Sequence, residues 1–263
     1  MDNDHTRFAR VMTNEGPQVG VLVDQWVYAL KGDPYRDWER AEELGELRAM
    51  PLLPPVVPSK IVCVGLNYRA HAAESSHEVP TEPLLFLKPP SAVIGPQASI
   101  VLPHQSERVD YEAELAVVIG RACRYVSTEE AWSHVWGVTC GNDVTARDLQ
   151  RRDNQWTRAK GFDTFCPLGP WVVTGLSEDD VDDLEVACRV NGETRQAGRT
   201  SDMVFSIPEL IAYVSSIMTL EPGDVILTGT PEGIGPLAAG DVVEVEVETT
   251  GVLRNPVRES PWQ

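Results

Sequence analysis

The stretch "VDYEAELAVVIG" (Val109 to Gly120) limits the possible folds more than any other part of the chain. Side chains alternate along extended backbone, so Tyr111, Ala113, Leu115, Val117 and Ile119 share one face, and Ala116 and Val118 the other. A strand that is apolar on both faces needs a packing layer on each side. The second face begins with Glu112 and Glu114, roughly 7 Å apart along the backbone. Where such a face turns apolar, the carboxylates must be neutralised, paired with cations or bound to a metal. "DVVEVEVETT" serves as a control, with Val243, Val245 and Val247 on one face and Glu244, Glu246 and Glu248 on the other. Its glutamate face runs on into Thr250, which describes a half-exposed strand with solvated charges.

Around this strand the chain alternates strands with short helices. "RFARVMT" and "VGVLVDQWVYAL" read as strands about a turn at Asn14 to Pro17, and "DWERAEELGELRAM" reads as helical. "PLLPPVVPSK" holds four prolines and reads as a linker, so residues 1–57 form a small leading module and 58–263 the main domain. Beyond it, "KIVCVGL" is a buried strand and "NYRAHAAE" a helix with Asn67 as its N-cap. Ser127-x-x-Glu130 and Ser206-x-x-Glu209 have capping-box spacing and open two further helices. "GVTCGNDVT" is a strand leading into the helical "ARDLQRRD". The regular cadence of a doubly wound sheet is missing, so the expected class is strand-rich, mixed α+β.

A net charge of -18 argues against nucleic acid and anionic membrane surfaces as partners. The longest apolar run falls short of the ~20 residues of a membrane span, and the polar "MDNDHTRFAR" does not read as a signal peptide. Five scattered cysteines with no C-x-x-C pair suit small core side chains in a reducing cytoplasm.

Several residues could carry chemistry. With Glu112 and Glu114, Asp143 makes three carboxylates on strand-like segments, an all-oxygen set suited to Mg²⁺ or Mn²⁺. A buried glutamate paired to Arg147 or Lys160 fits the same spacing. His71 and Glu74 lie three apart on one helix, either as a carboxylate-oriented general base or as a surface pair. His77 and Glu78 sit in a polar run and read as solvated loop. Arg147, Gln150 and Lys160 could offer a substrate carboxylate a charged fork, an amide and a point charge, whereas Arg151, Arg152 and Arg158 read as surface charge. "GTPEGIG" lacks the lysine and spacing of a phosphate loop. It could present Thr230 and backbone N–H groups to a carboxylate, or be simply a turn.

Taken together, "VCVGLNYRAHAAE", "PLLFLKPPSAVIGP", "VDYEAELAVVIG", "GNDVTARDLQ", "WTRAKGFDTFCPLGP", "VNGETRQ", "FSIPELIAYVSSIMTLEPGDVILTGTPEGIG" and "GDVVEVEVETTG" resemble the fumarylacetoacetate hydrolase family, in the family's order. The resemblance implies a strand-rich α+β roll, usually a homodimer. It also implies Glu112, Glu114 and Asp143 as ligands of Mg²⁺ or Mn²⁺, and His71 with Glu74 as a water-activating pair. Substrate contacts then fall on Arg147, Gln150, Lys160 and Thr230. The implied substrate is a small anionic 2-oxo acid of acylpyruvate type, cleaved by C–C hydrolysis. Decarboxylation of an oxaloacetate-type acid and isomerisation of a 2-hydroxydienoate are the alternatives on the same scaffold. A non-catalytic oxo-acid-binding protein and a metal-dependent nuclease are the rivals from other classes. The intact His71–Glu74 pair counts against the first, and the charge against the second.

Overall fold

The computed structural model describes residues 5–74 and 78–261, so His77 lies outside the described residues. The chain opens with β1 (Thr6–Thr13), β2 (Gly16–Val23), β3 (Trp26–Gly32) and β4 (Trp38–Glu46). Then follow β5 (Leu52–Leu53), β6 (Ile61–Gly65), α1 (Arg69–Glu74), β7 (Leu84–Lys88), β8 (Val93–Ile94), β9 (Ile100–Leu102) and β10 (Val109–Tyr111). The middle of the chain holds β11 (Ala113–Ile119), α2 (Thr128–Ala131), β12 (Val135–Asn142), β13 (Thr145–Ala146), α3 (Arg147–Arg152), α4 (Thr157–Lys160) and β14 (Cys166–Thr174). It closes with α5 (Glu178–Val181), β15 (Glu185–Val190), β16 (Glu193–Arg199), α6 (Ile207–Ile217), β17 (Val225–Leu227), β18 (Gly235–Pro236), β19 (Val242–Val247) and β20 (Gly251–Glu259). This is the strand-rich α+β class read from the sequence.

The largest sheet runs β4-β3-β2-β1-β14-β12-β11-β17-β6-β7, with β5 on β1 and β8 on β14. It is mixed, since β17 pairs with β6 in parallel while its other neighbour, β11, is antiparallel. A second sheet, β16-β15-β19-β20-β9, packs across it, and β13-β10-β18 form a third. The opening stretch occupies the middle of this stack. Tyr111, Ala113, Leu115, Val117 and Ile119 enter the main core with Val243, Val245 and Val247 of β19, while Ala116 and Val118 meet Ile61, Cys63 and Leu227 behind the sheet. Both faces are buried, as the alternation requires. On β19 the control holds: the valines are buried, and Glu244 and Glu246 sit half-buried with Arg189.

Two local readings need correction. The stretch read as helical, residues 37–50, is the strand β4 followed by a single 3₁₀ turn at Leu47–Ala49. Pairing with β3, the edge contact of Trp38 on Phe8 at 5.1 Å, and burial of Leu44 and Leu47 against Ala9, Val11 and Val27 override helical propensity. Two register shifts along β3–β4 erase the alternation that would have betrayed a strand. Asn67 does not cap α1. Its amide donates to the carbonyls of Phe205 and Thr228 and accepts from Phe205 N–H, tying three segments together beneath the helix. Both capping boxes form as the spacing predicts.

The proline-rich stretch read as a linker is packed. Leu52 and Leu53 pair with β1, and Val56 is buried. No helix among the described residues is long and apolar enough to cross a membrane, which says nothing of a β-barrel.

Candidate metal centre and active site

Glu112 occupies the one-residue break between β10 and β11, where the chain leaves the small sheet for the large one. Backbone groups at such a break lose ladder partners and must find others. Glu112 N–H donates to the Asn142 side chain at 3.0 Å, Asp143 N–H to Glu112 carbonyl at 2.9 Å, and Ala113 N–H to Gln196 Oε1 at 3.0 Å. This substitution fixes Glu112, Glu114 and Asp143 side by side. All three are buried, and each offers an oxygen within 4.8 Å of the others.

Cations surround them. Lys160 Nζ donates to Glu112 at 2.8 Å and to Asp143 at 2.6 Å, while Lys88 Nζ binds the other Asp143 oxygen and the Val144 carbonyl at 3.0 Å. Arg147 donates to Asp110 through Nε at 2.9 Å, to Glu112 through Nη2 and to Gln150 Oε1 through Nη1. Burial opposes ionisation of Glu112, but Lys160 and Arg147 outweigh it and hold its carboxyl well below the usual carboxylate range. Glu114 goes the other way: burial, then the charges of Asp143 and Glu112, push it well above that range. Lys160 stays charged despite burial because Asp143 and Glu112 favour the ammonium.

The donor set fits a hard divalent cation. It is all oxygen and buried, and one carboxyl is pushed well above the usual carboxylate range by burial and then by its like-charged neighbours. A cation there relieves that repulsion directly.

The same cavity, about 380 Å³, is lined by the three carboxylates together with His71, Arg147, Gln150, Lys160 and Thr230. His71 is buried, its Nδ1 3.3 Å from Glu74, which in turn accepts the Gly233 N–H at 3.1 Å. Gly229 N–H donates to Glu114 at 2.7 Å. The "GTPEGIG" loop therefore gives two of its backbone N–H groups, those of Gly229 and Gly233, to the protein's own carboxylates. Gly233 has φ +95°, and a Cβ there would lie 2.2 Å from the Arg195 carbonyl, so only glycine presents this N–H to Glu74. Thr230 uses its hydroxyl proton on the Ala113 carbonyl and accepts from Gln196, leaving an acceptor toward the cavity. Gln150 accepts from Arg147, so its amide N–H₂ faces outward as a donor.

A fumarylacetoacetate (FAA) hydrolase C-terminal model matches residues 60–258, and an Rv2993c-like N-terminal model matches residues 6–55. The chain belongs to the fumarylacetoacetate hydrolase family. Among family relatives, human "Oxaloacetate tautomerase FAHD2A, mitochondrial" is 49% identical over 215 residues, 78% of this chain and 68% of the relative. A crystal structure of 5-carboxymethyl-2-hydroxymuconate delta-isomerase from Mycobacterium smegmatis is 43% identical, with TM-score 0.90 over 97% of this chain and 100% of that one. A 2-hydroxyhepta-2,4-diene-1,7-dioate isomerase from Mycobacterium marinum is 40% identical, with TM-score 0.90 over 97% and 99%.

Around this candidate site, sequence reasoning missed Lys88, Asp110 and Gln196, all buried and each bonded to a residue of the cavity. Lys88 had a signal: a lysine closing the apolar run "LLFLK" needs a buried counter-ion. Arg151, read as surface charge, lines the cavity with Leu84, Phe86 and Trp156. Its neighbours Arg152 and Arg158 pair with Asp153 outside it.

Proposed function

We propose that the protein is a divalent-metal-dependent enzyme that moves a proton at the carbon beside the 2-oxo group of a small 2-oxo acid, as a tautomerase or isomerase. One observation carries this reading. A buried imidazole, oriented by Glu74, opens into the same cavity as three carboxylates able to hold Mg²⁺ or Mn²⁺. A cation held by Glu112, Glu114 and Asp143 would supply Lewis-acid stabilisation of the negative charge that builds on the substrate oxygens. Gln150 and the free N–H groups of Arg147 and Lys160 bind and orient the substrate carboxylate, with Thr230 as an acceptor. His71 takes the C3 proton at Nε2 and returns it at another position, while Glu74 fixes the ring through Nδ1. The names of the isomerase and tautomerase relatives support this branch.

A second reading, hydrolysis of an acylpyruvate, rests on the same pair. An imidazole oriented at Nδ1 can take a proton from water as readily as from carbon. One experiment separates them. With Mg²⁺ or Mn²⁺ present, the enzyme should speed enol–keto interconversion of oxaloacetate and C3 hydrogen exchange in D₂O. His71→Ala should cost about 10²–10⁴-fold. Cleavage of acetylpyruvate outpacing its own C3 exchange would favour hydrolysis, and absence of any metal-dependent exchange or cleavage would sink both readings. Calorimetry of Glu112→Ala, Glu114→Ala and Asp143→Ala should show lost affinity for the cation, and undiminished affinity in one would remove that residue from the ligand set.

A further inference from the structure

Arg147, Gln150 and Arg151 stand at positions i, i+3 and i+4 of α3 and line one wall of the cavity. Arg147 is already engaged by Asp110, Glu112 and Gln150. Lys160 is engaged by Glu112 and Asp143, and Lys88 by Asp143. Arg151 is different. It lines the same cavity, and no carboxylate among the described residues pairs with it. It is also exposed, so it marks the rim where the buried carboxylates mark the floor.

The walls between rim and floor are apolar. Trp156 packs edge-on against Phe86, with ring centroids 5.3 Å apart. Gly65 lets the ring in: a Cβ at that position would lie 3.1 Å from Trp156 and 3.3 Å from Leu84. An unpaired guanidinium at the rim above apolar walls is a carboxylate receptor, because its planar fork matches that anion in two parallel hydrogen bonds. Four residues along a helix offset Arg151 from Arg147 by about 6 Å, a distance bridged by a short carbon chain. The chain as a whole carries a charge of -18, so a second anionic group on the substrate needs a cation of its own.

We propose that Arg151 binds the distal carboxylate of the substrate, so that the enzyme selects short 2-oxo dicarboxylic acids over 2-oxo acids with an uncharged tail. This inference rests on the 2-oxo acid reading above and names the substrate class within it. The Trp156–Phe86 wall sets the width of the slot, and Arg151 sets the charge at its end.

The test compares oxaloacetate, which carries the distal carboxylate, with acetylpyruvate, which carries a methyl ketone there. Kinetic constants are measured for the Mg²⁺-loaded wild type, Arg151→Gln and Arg151→Lys. Binding of oxaloacetate and oxalate is measured in parallel by calorimetry, since oxalate fills the chelating end alone. The wild type should prefer oxaloacetate. Arg151→Gln should lower the oxaloacetate-to-acetylpyruvate ratio of kcat/KM roughly 10- to 100-fold, the span of one charge-assisted hydrogen bond, with the loss in KM rather than kcat. Its affinity for oxaloacetate should fall relative to that for oxalate, and Arg151→Lys should recover part of both. A ratio that does not move, a loss confined to kcat, or a wild type that prefers acetylpyruvate would overturn the assignment. A wild type that binds oxalate and turns over neither acid, or does not bind oxalate at all, would overturn the functional reading and this inference with it.

Discussion

At the scale of single residues, the site is a balance of buried charges. Asp110, Glu112 and Asp143 pair with Arg108, Arg147, Lys160 and Lys88, while Glu114 accepts the Gly229 N–H, and of the eight only Arg108 reaches far into solvent. Lys88 has the least access to water of the cations, and Asp143 depends on it for one of its two oxygens. Breaking a buried pair from one side leaves an uncompensated charge. Lys88→Met should therefore destabilise the metal-free protein by about 3–5 kcal/mol. Added Mg²⁺ should restore more of the melting temperature in the variant than it adds to the wild type. A variant as stable as the wild type without metal would show that Asp143 is held by Lys160 alone. The cysteines show the opposite case of buried groups without a task. All five are buried, and burial pushes Cys140 up to about 11 and Cys166 up to about 12, which keeps both as inert thiols at neutral pH.

At the scale of elements, Glu114 lies on β11, Glu112 just before it and Asp143 just after β12, and the register of these strands with β14 sets where the carboxylates stand. Gly137 lies where β12 crosses β14. A Cβ there would meet the Val173 carbonyl at 2.2 Å, a backbone atom that cannot turn aside. The strands approach this closely next to the irregularity between Val138 and Cys140, which shifts the register ahead of Asn142 and Asp143. Gly137→Ala should cost about 1–3 kcal/mol by forcing the strands apart. It should lower the urea midpoint and weaken cation affinity together, because the same shift displaces Asp143. An unchanged midpoint would mean that β14 yields without disturbing the ladder.

At the scale of the whole molecule, the N-terminal strands extend the sheet that holds the site. β1 pairs with β14 through Thr6, Arg7 and Phe8. Phe8 and Tyr35 both pack on Trp136 of β12, at 5.1 and 4.7 Å, and Trp136 donates its indole N–H to the Pro34 carbonyl at 2.8 Å. A chain restricted to residues 58–263 would bare this aromatic cluster and the β14 edge, a template for wrong pairing. That truncation should aggregate or melt at least 10 °C lower, by the scale on which a few kcal/mol moves Tm. The full chain should unfold in one transition by circular dichroism and tryptophan fluorescence alike. Two separate transitions in the full chain would show that the module folds on its own.

The sequence by itself determined what depends on neighbours along the chain. Alternation placed Val109 to Gly120 at the centre of a layered, strand-rich fold, and the contrast with "DVVEVEVETT" singled out Glu112 and Glu114 as carboxylates in need of partners. Spacing gave the capping boxes of α2 and α6 and the pairing of His71 with Glu74. Local signals were wrong or silent where distant segments set the outcome. Residues 38–46 became a strand because β3 and Phe8 were waiting for them, and Asn67 bonded Phe205 and Thr228, far along the chain, in place of its own helix. Only the tertiary structure decided which cations serve the carboxylates and which is left free. Lys88, Arg147 and Lys160 turn inward while Arg151, one helical turn past Arg147, meets no carboxylate among the described residues. Charge pairing acts through space at a few ångströms, and the order of residues along the chain does not encode that distance.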